Sequence, residues 1–244
     1  MSKLNKRIPW PRWAFRASAF ALLGLSFQAQ AELAPEGAIT TLMVQAKDPK
    51  AYIEGLAANT ALFEALGSQA AGYCLTRTGN DYGGQLFVWN AYGSLGDAMA
   101  SAATYDPYAA PAATAAQRSV KYSALFKPLK AFELKPGYER LWRLEVGPED
   151  LSAFLDAITE LEAAIQAAGH DFQAAVFNSA GGGREEAGVI HLRAISPSAR
   201  AAGAVMDDYY SGAAWAPLWD KAYGYVRAVR SDTFEECAIF YTAP

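Results

Sequence analysis

The spacing of apolar residues along this chain switches period in a fixed order, and that order runs twice. Each run opens with an alternating stretch, "AITTLMVQA" from Ala38 and "YERLWRLEV" from Tyr138, the period-two signature of a half-buried strand. Helical spacing follows, with Tyr52, Ile53, Leu56, Phe63 and Leu66 in the first run and Leu151, Phe154, Leu155, Ile158, Leu161 and Ile165 in the second. Pro49 after Asp48 and Pro148 after Gly147 occupy expected first helical positions, while Gly67 and Gly169 stop the two helices. Two strands joined by a turn come next, "GYCLTRT" to "GQLFVWN" and "FQAAVFN" to "GVIHLRA". A broken, alanine-rich helical stretch and a last strand, at "LKAFEL" and "DTFEECAIFY", close each run. The copies align at an offset of 102 from Val44 with Val146 to Cys74 with Val176. Beyond an insertion in "NSAGGGREEAG" the offset is 104, and Trp89 meets Arg193.

The order β-α-β-β-α-β, read twice, predicts an α+β fold of two tandem ferredoxin-like units, residues 32–136 and 137–244. Helices cover one face of such a sheet, and the other face must be buried against something. The economical solution packs the two open faces together as a pseudo-dimeric α/β barrel. Strand alternation places Leu86, Val88 and Asn90 under the helices and turns Gln85, Phe87 and Trp89 inward. In the second copy Ile190, Leu192 and Ala194 oppose Val189, His191 and Arg193. The opening strands add Thr41 and Met43 to one inner wall, and Arg143 and Glu145 to the other. One wall is therefore aromatic and apolar, the other charged. Two readings stay open: a salt-bridge network filling the barrel, or a site where the charged set holds a polar group of a ligand whose ring lies on Trp89.

The β-α-β-β unit, the kinked second helical region with "WAPLWDKAY" and the terminal strand resemble the antibiotic biosynthesis monooxygenase group of the dimeric α/β-barrel superfamily. The resemblance covers nearly all of residues 32–244 and rests on the order of elements, not on a diagnostic motif. It implies small-molecule chemistry: cofactor-free oxygenases and isomerases in some members, haem degradation in others. It also implies ligands between the sheet and its helices, with Tyr105, Tyr209, Trp215 and Trp219 as walls. His191 is the one candidate for a catalytic base or a haem ligand. The Asn, Trp and His set of the haem-degrading relatives is incomplete, because no histidine follows Trp89 and Asn90. No cofactor is expected.

The N-terminal segment changes where this fold is expected to work. Lys3, Lys6, Arg7, Arg12 and Arg16 precede a short apolar run from Ala17 to Phe27 and an Ala29-Gln30-Ala31 site, the pattern of an export signal cleaved near Ala31. Eleven apolar residues are too few to span a bilayer, so a periplasmic or secreted protein without a membrane anchor is expected. Five of the 21 Lys and Arg residues and none of the 25 Asp and Glu residues lie there, so cleavage moves the net charge from −4 to −9. Such an acidic chain without a basic cluster is a poor nucleic-acid binder.

The remaining chemistry is sparse. Cys74 and Cys237, the only cysteines, fall on edge strands that meet at a barrel seam, so a disulfide is permitted in an oxidising compartment; two inert thiols are the alternative. His170 reads as a loop residue, and Asp207-Asp208 and Glu185-Glu186 as solvated pairs. "SAGGGREEAG" reads as a hairpin loop, and no His, Cys and carboxylate spacing suggests a metal. The expected function is an exported small-molecule-binding protein. The alternatives are a cofactor-independent monooxygenase or isomerase acting on an aromatic or quinone-like substrate, and an envelope protein working through protein contacts.

Overall fold

A computed structural model describes residues 32–244; the expected export signal, residues 1–31, lies outside them. The first half runs β1 (Glu32–Leu33), β2 (Ala38–Ala46), α1 (Pro49–Ala57), α2 (Thr60–Ala65), β3 (Ala70–Thr78), β4 (Gln85–Tyr92), α3 (Leu95–Thr104), α4 (Ala112–Ala115), β5 (Arg118–Pro128) and β6 (Phe132–Glu133). The second runs β7 (Gly137–Val146), α5 (Leu151–Ala167), β8 (Gln173–Gly181), α6 (Gly183–Glu186), β9 (Ile190–Ser196), α7 (Ala199–Tyr210), α8 (Ala216–Tyr223) and β10 (Val226–Thr242).

Eight strands close into an antiparallel barrel in the order β10-β3-β4-β2-β5-β8-β9-β7. Each half contributes four neighbouring strands in the same internal order, the last beside the first, then the third, then the second. Closure abolishes both sheet edges of both halves. The two seams differ. At one, β10 pairs with β3 from Phe234–Thr78 to Thr242–Ala70; at the other, β5 pairs with β8 only from Leu125–Gly181 to Pro128–Phe177.

Alternation then fixes what each face buries. Ile39, Phe87, Trp89, Phe126, Phe177 and Ile195 point into the barrel and form one apolar cluster. Leu42, Val44, Leu86 and Val88 point outward under α1 and α2, against Tyr52 and Phe63. In the second half Leu144, Val176 and Leu192 meet Phe154, Ile158, Leu161 and Ile165 of α5, each of these four at most 2% exposed. Each such side chain contributes about 1.5–3 kcal/mol, so Ile158→Ala is expected to cost about 2–5 kcal/mol.

Three expected elements are corrected. The first helix is two, α1 and α2, because Asn59 leaves helical geometry at φ −116° and ψ 56°. Pro148 lies in a turn and α5 begins at Leu151, whereas Pro49 does start α1 behind the Asp48 cap. The fourth barrel strand of the first half is β5, upstream of "LKAFEL". That expected strand supplies only β6, which pairs with β1. Leu33, Phe132 and Leu134 of this short ribbon join the interior apolar cluster. "RSVKYSALFKP" directs Tyr122, Ala124 and Phe126 inward, which gives it the better claim to the barrel wall.

Candidate functional site

The barrel interior holds two charged clusters. In the first, Glu186 sits 1% exposed at the end of α6, the helical turn that replaces the expected hairpin loop. Gly183 takes φ 59° there, and a Cβ on Gly182 would collide with Glu186 itself, so the glycine run is what lets this carboxylate turn inward. Glu186 accepts from Tyr122 Oη at 2.7 Å, from His191 Nε2 at 2.9 Å and from Arg143 Nε at 3.1 Å. Burial resists its ionisation, but these three partners outweigh burial and hold its pKa below the ordinary carboxylate value. Burial likewise pushes His191 below its ordinary value, with Glu186 opposing and the two arginines assisting. The pair is thus a carboxylate and a neutral imidazole. Nε2–H donates to Glu186, and Nδ1 has no hydrogen-bond partner among the described residues.

The second cluster surrounds Arg193, which is 8% exposed. Its Nε donates to Glu139 and its Nη2 to Glu235 at 2.6 Å, while Nη2 also lies 3.4 Å from Cys74 Sγ and 3.6 Å from Cys237 Sγ. Burial works against this charge, but Glu139 and Glu235 hold it above its ordinary value; burial also raises Glu235 despite Arg193. The guanidinium lies 5.0 Å from the Phe87 ring centroid. Cys74 and Cys237 face one another across the β3–β10 seam, with Cα atoms 4.1 Å apart, and form a disulfide.

Trp89, Arg143, His191 and Arg193 therefore share one interior, and His191 packs on Phe126 with ring centroids 4.4 Å apart. Glu145 does not join them. It is the penultimate residue of β7, already beyond the interior, and pairs with Arg230 at the surface. Its place is taken by Glu139 and Glu235, which share the inward phase of Arg143 and of Cys237 respectively, a signal plain strand alternation contains. Glu186 also overturns the solvated-pair expectation: Glu185 stays outside and Glu186 goes in. His170 bonds Asp208 at 2.9 Å near the surface, away from either cluster. The interior cavity between the clusters is about 80 Å³, room for about three waters.

Tyr209 and Trp215 lie elsewhere, on the outer face of the second-half sheet. There β7, β9, β10, α5, α7 and α8 enclose a groove of about 570 Å³. Trp142 and Trp219 pack at 4.9 Å between ring centroids, and Tyr209 stacks on Trp215 at 6.1 Å. Arg140, held by Asp232, covers the Trp142 ring at 4.4 Å. The buried Trp215 Nε1 has no acceptor among the described residues.

No family model and no curated relative matches this sequence. Solved structures do match. An anthrone oxidase-like protein superimposes with a TM-score of 0.59 at 12% identity, over 88% of this chain and 100% of its own. A provisionally named monooxygenase from Lactobacillus acidophilus gives 0.54 at 10% identity, over 85% and 98%. A heme-binding protein from Thermus thermophilus gives 0.50 at 10% identity, over 85% and 93%. These identities show a shared fold, an antiparallel barrel with helices, and nothing finer.

A histidine-ligated haem needs an imidazole facing a space large enough for the macrocycle. The groove is lined by neither histidine, since His191 faces the opposite side of the sheet and His170 lies outside the lining. The interior cavity is too small. Neither of these two spaces fits a histidine-ligated haem.

Proposed function

We propose that this chain is an exported small-molecule-binding protein, a tandem pair of ferredoxin-like units fused into one dimeric-α/β-type barrel. Its main ligand is a planar, largely apolar molecule held in the second-half groove. The groove carries the reading: its volume falls in the ~300–1,000 Å³ range of ligand sites, whereas the interior cavity falls well short. Its walls are largely aromatic, and the Arg140–Asp232 pair stands among them. The binding functions named for structural neighbours, a heme-binding protein among them, are consistent with a ligand on this fold. The protein-contact alternative, which calls for an apolar patch without a pocket, is the weaker reading beside such a groove.

Two measurements test this. Native mass spectrometry of protein from its own host's extract is expected to show a retained small molecule. The fluorescent aromatic sulfonate ANS is expected to bind saturably at one site in the emptied protein, and Val205→Phe, which narrows the groove, to weaken that binding several-fold. A bare polypeptide mass together with no saturable ANS site would refute the reading.

One observation favours an enzyme instead. His191 offers an unpaired Nδ1 lone pair to the interior cavity, with Glu186 orienting the ring from behind, the arrangement of a general base. A cofactor-independent monooxygenase or isomerase would present only a small part of its substrate there. This reading ranks second because of the cavity's size. Retained turnover of candidate phenols by His191→Asn would remove it.

A further inference from the structure

Arg118 and Arg193 are the two cations buried among the described residues, 7% and 8% exposed. Arg193 meets two carboxylates; Arg118 meets none. Its Nη1 donates to Tyr52 Oη, and its Nη2 to Tyr105 Oη at 3.0 Å and to the Pro107 carbonyl at 3.4 Å, while its Nε has no partner. The tyrosines deepen the imbalance. Each hydroxyl accepts from Arg118, and neither has an acceptor for its own hydrogen among the described residues. Burial raises the pKa of Tyr52, which keeps it a neutral phenol with a proton to give. A buried guanidinium whose acceptors are two phenol oxygens and one carbonyl, beside two unspent O–H donors, has no counter-charge among the described residues, and an unpaired buried charge is expensive.

Arg118 and Tyr105 line a cavity of about 130 Å³ between the first-half sheet and α1 to α3, whose other walls include Leu42, Leu62, Phe63 and Val88. We infer that this cavity is a second binding site, for a small monocarboxylate with a short apolar tail. The carboxylate takes the guanidinium and the Tyr105 hydroxyl, and the tail lies on the aliphatic wall. One guanidinium and neutral hydroxyls match one negative charge, which favours a carboxylate over a phosphate. Nothing comparable stands in the second-half groove, whose arginine, Arg140, is already neutralised by Asp232.

Isothermal titration of the purified protein with hexanoate, and with hexan-1-ol as its uncharged counterpart, tests this. Charge-assisted hydrogen bonds to the carboxylate are expected to make hexanoate bind about tenfold tighter or more. Arg118→Met is expected to erase the preference, and Tyr105→Phe to weaken hexanoate several-fold with hexan-1-ol unchanged. Near-UV circular dichroism identifies a variant that fails to fold; Tyr105 is only half-buried, so Tyr105→Phe decides the question if Arg118→Met is lost. Wild-type protein that binds the two compounds equally, or binds neither, overturns the proposal. So does a hexanoate preference that survives Arg118→Met or, if that variant does not fold, Tyr105→Phe.

Discussion

Arg193 brings one positive charge to two buried carboxylates, and burial raises Glu235 as the member that resists ionisation. Removing the arginine strands both acids. Arg193→Met alone is expected to cost about 3–5 kcal/mol, whereas adding Glu139→Leu and Glu235→Leu is expected to restore most of it. Urea unfolding of the three proteins decides; a triple variant as unstable as the single one would show that the cluster is more than a compensated charge. His191 makes a second prediction. Its native pKa lies below the ordinary 6.5 because burial excludes the charged form. Below pH 6.5 the unfolded chain takes up a proton that the native state refuses, so this stability is complete above 6.5 and lost as pH falls, at most about 1.4 kcal/mol per pH unit. Glu186, held below 4.5, loses stability in the same direction only under pH 4.5. Glu235, raised above 4.5, acts oppositely, losing stability as pH rises through its native pKa. His191→Asn should therefore flatten the change in unfolding free energy between pH 7 and pH 5. Equal slopes in variant and wild type would contradict this.

Among the elements, β3 and β10 form the better-fastened seam. The Cys74–Cys237 bond closes a loop of 163 residues, for which removal of the cross-link is expected to cost about 2–5 kcal/mol. Comparing the denaturant midpoints of the oxidised protein and a Cys74→Ser/Cys237→Ser double variant measures it; coincident midpoints would show that pairing alone holds the seam. How far these elements could be read from the sequence depended on regularity. Alternation located Phe87, Trp89, Arg143, His191 and Arg193 on inner faces, because a closed barrel keeps one phase of every strand turned inward. It failed for Glu145, where β7 runs out, and it had no purchase on Glu186, which arrives on an irregular glycine turn. The α1–α2 break at Asn59 hid for a related reason: the apolar spacing continues across it, while backbone geometry does not.

At the scale of the molecule, one architecture carries two unlike outer faces, an aromatic groove in the second half and a cationic cavity in the first. Between them lies an interior in which an apolar cluster packs around paired charges. That division could not be read from the repeat, which aligns backbones and not the packing of helices onto them. Barrel closure also predicts where the molecule opens first. The β5–β8 seam has only a short run of paired residues. Amide exchange at Lys127 and Leu129 is expected to be faster than at the amides of β10 paired with β3. Equal protection at both seams would mean the barrel unlocks as a whole.

The same cross-link has a mechanical meaning. A force applied to the two ends of the chain reaches Cys74 from one side and Cys237 from the other, and the covalent bond carries it straight across. Everything between them is shielded from load. Pulled in the oxidised state, the protein can lengthen only through the segments before Cys74 and after Cys237; reduced, it releases about 550 Å more contour length. The groove and most of the barrel wall lie inside that shielded span, whereas β2, α1 and α2, which wall the cationic cavity, lie outside it.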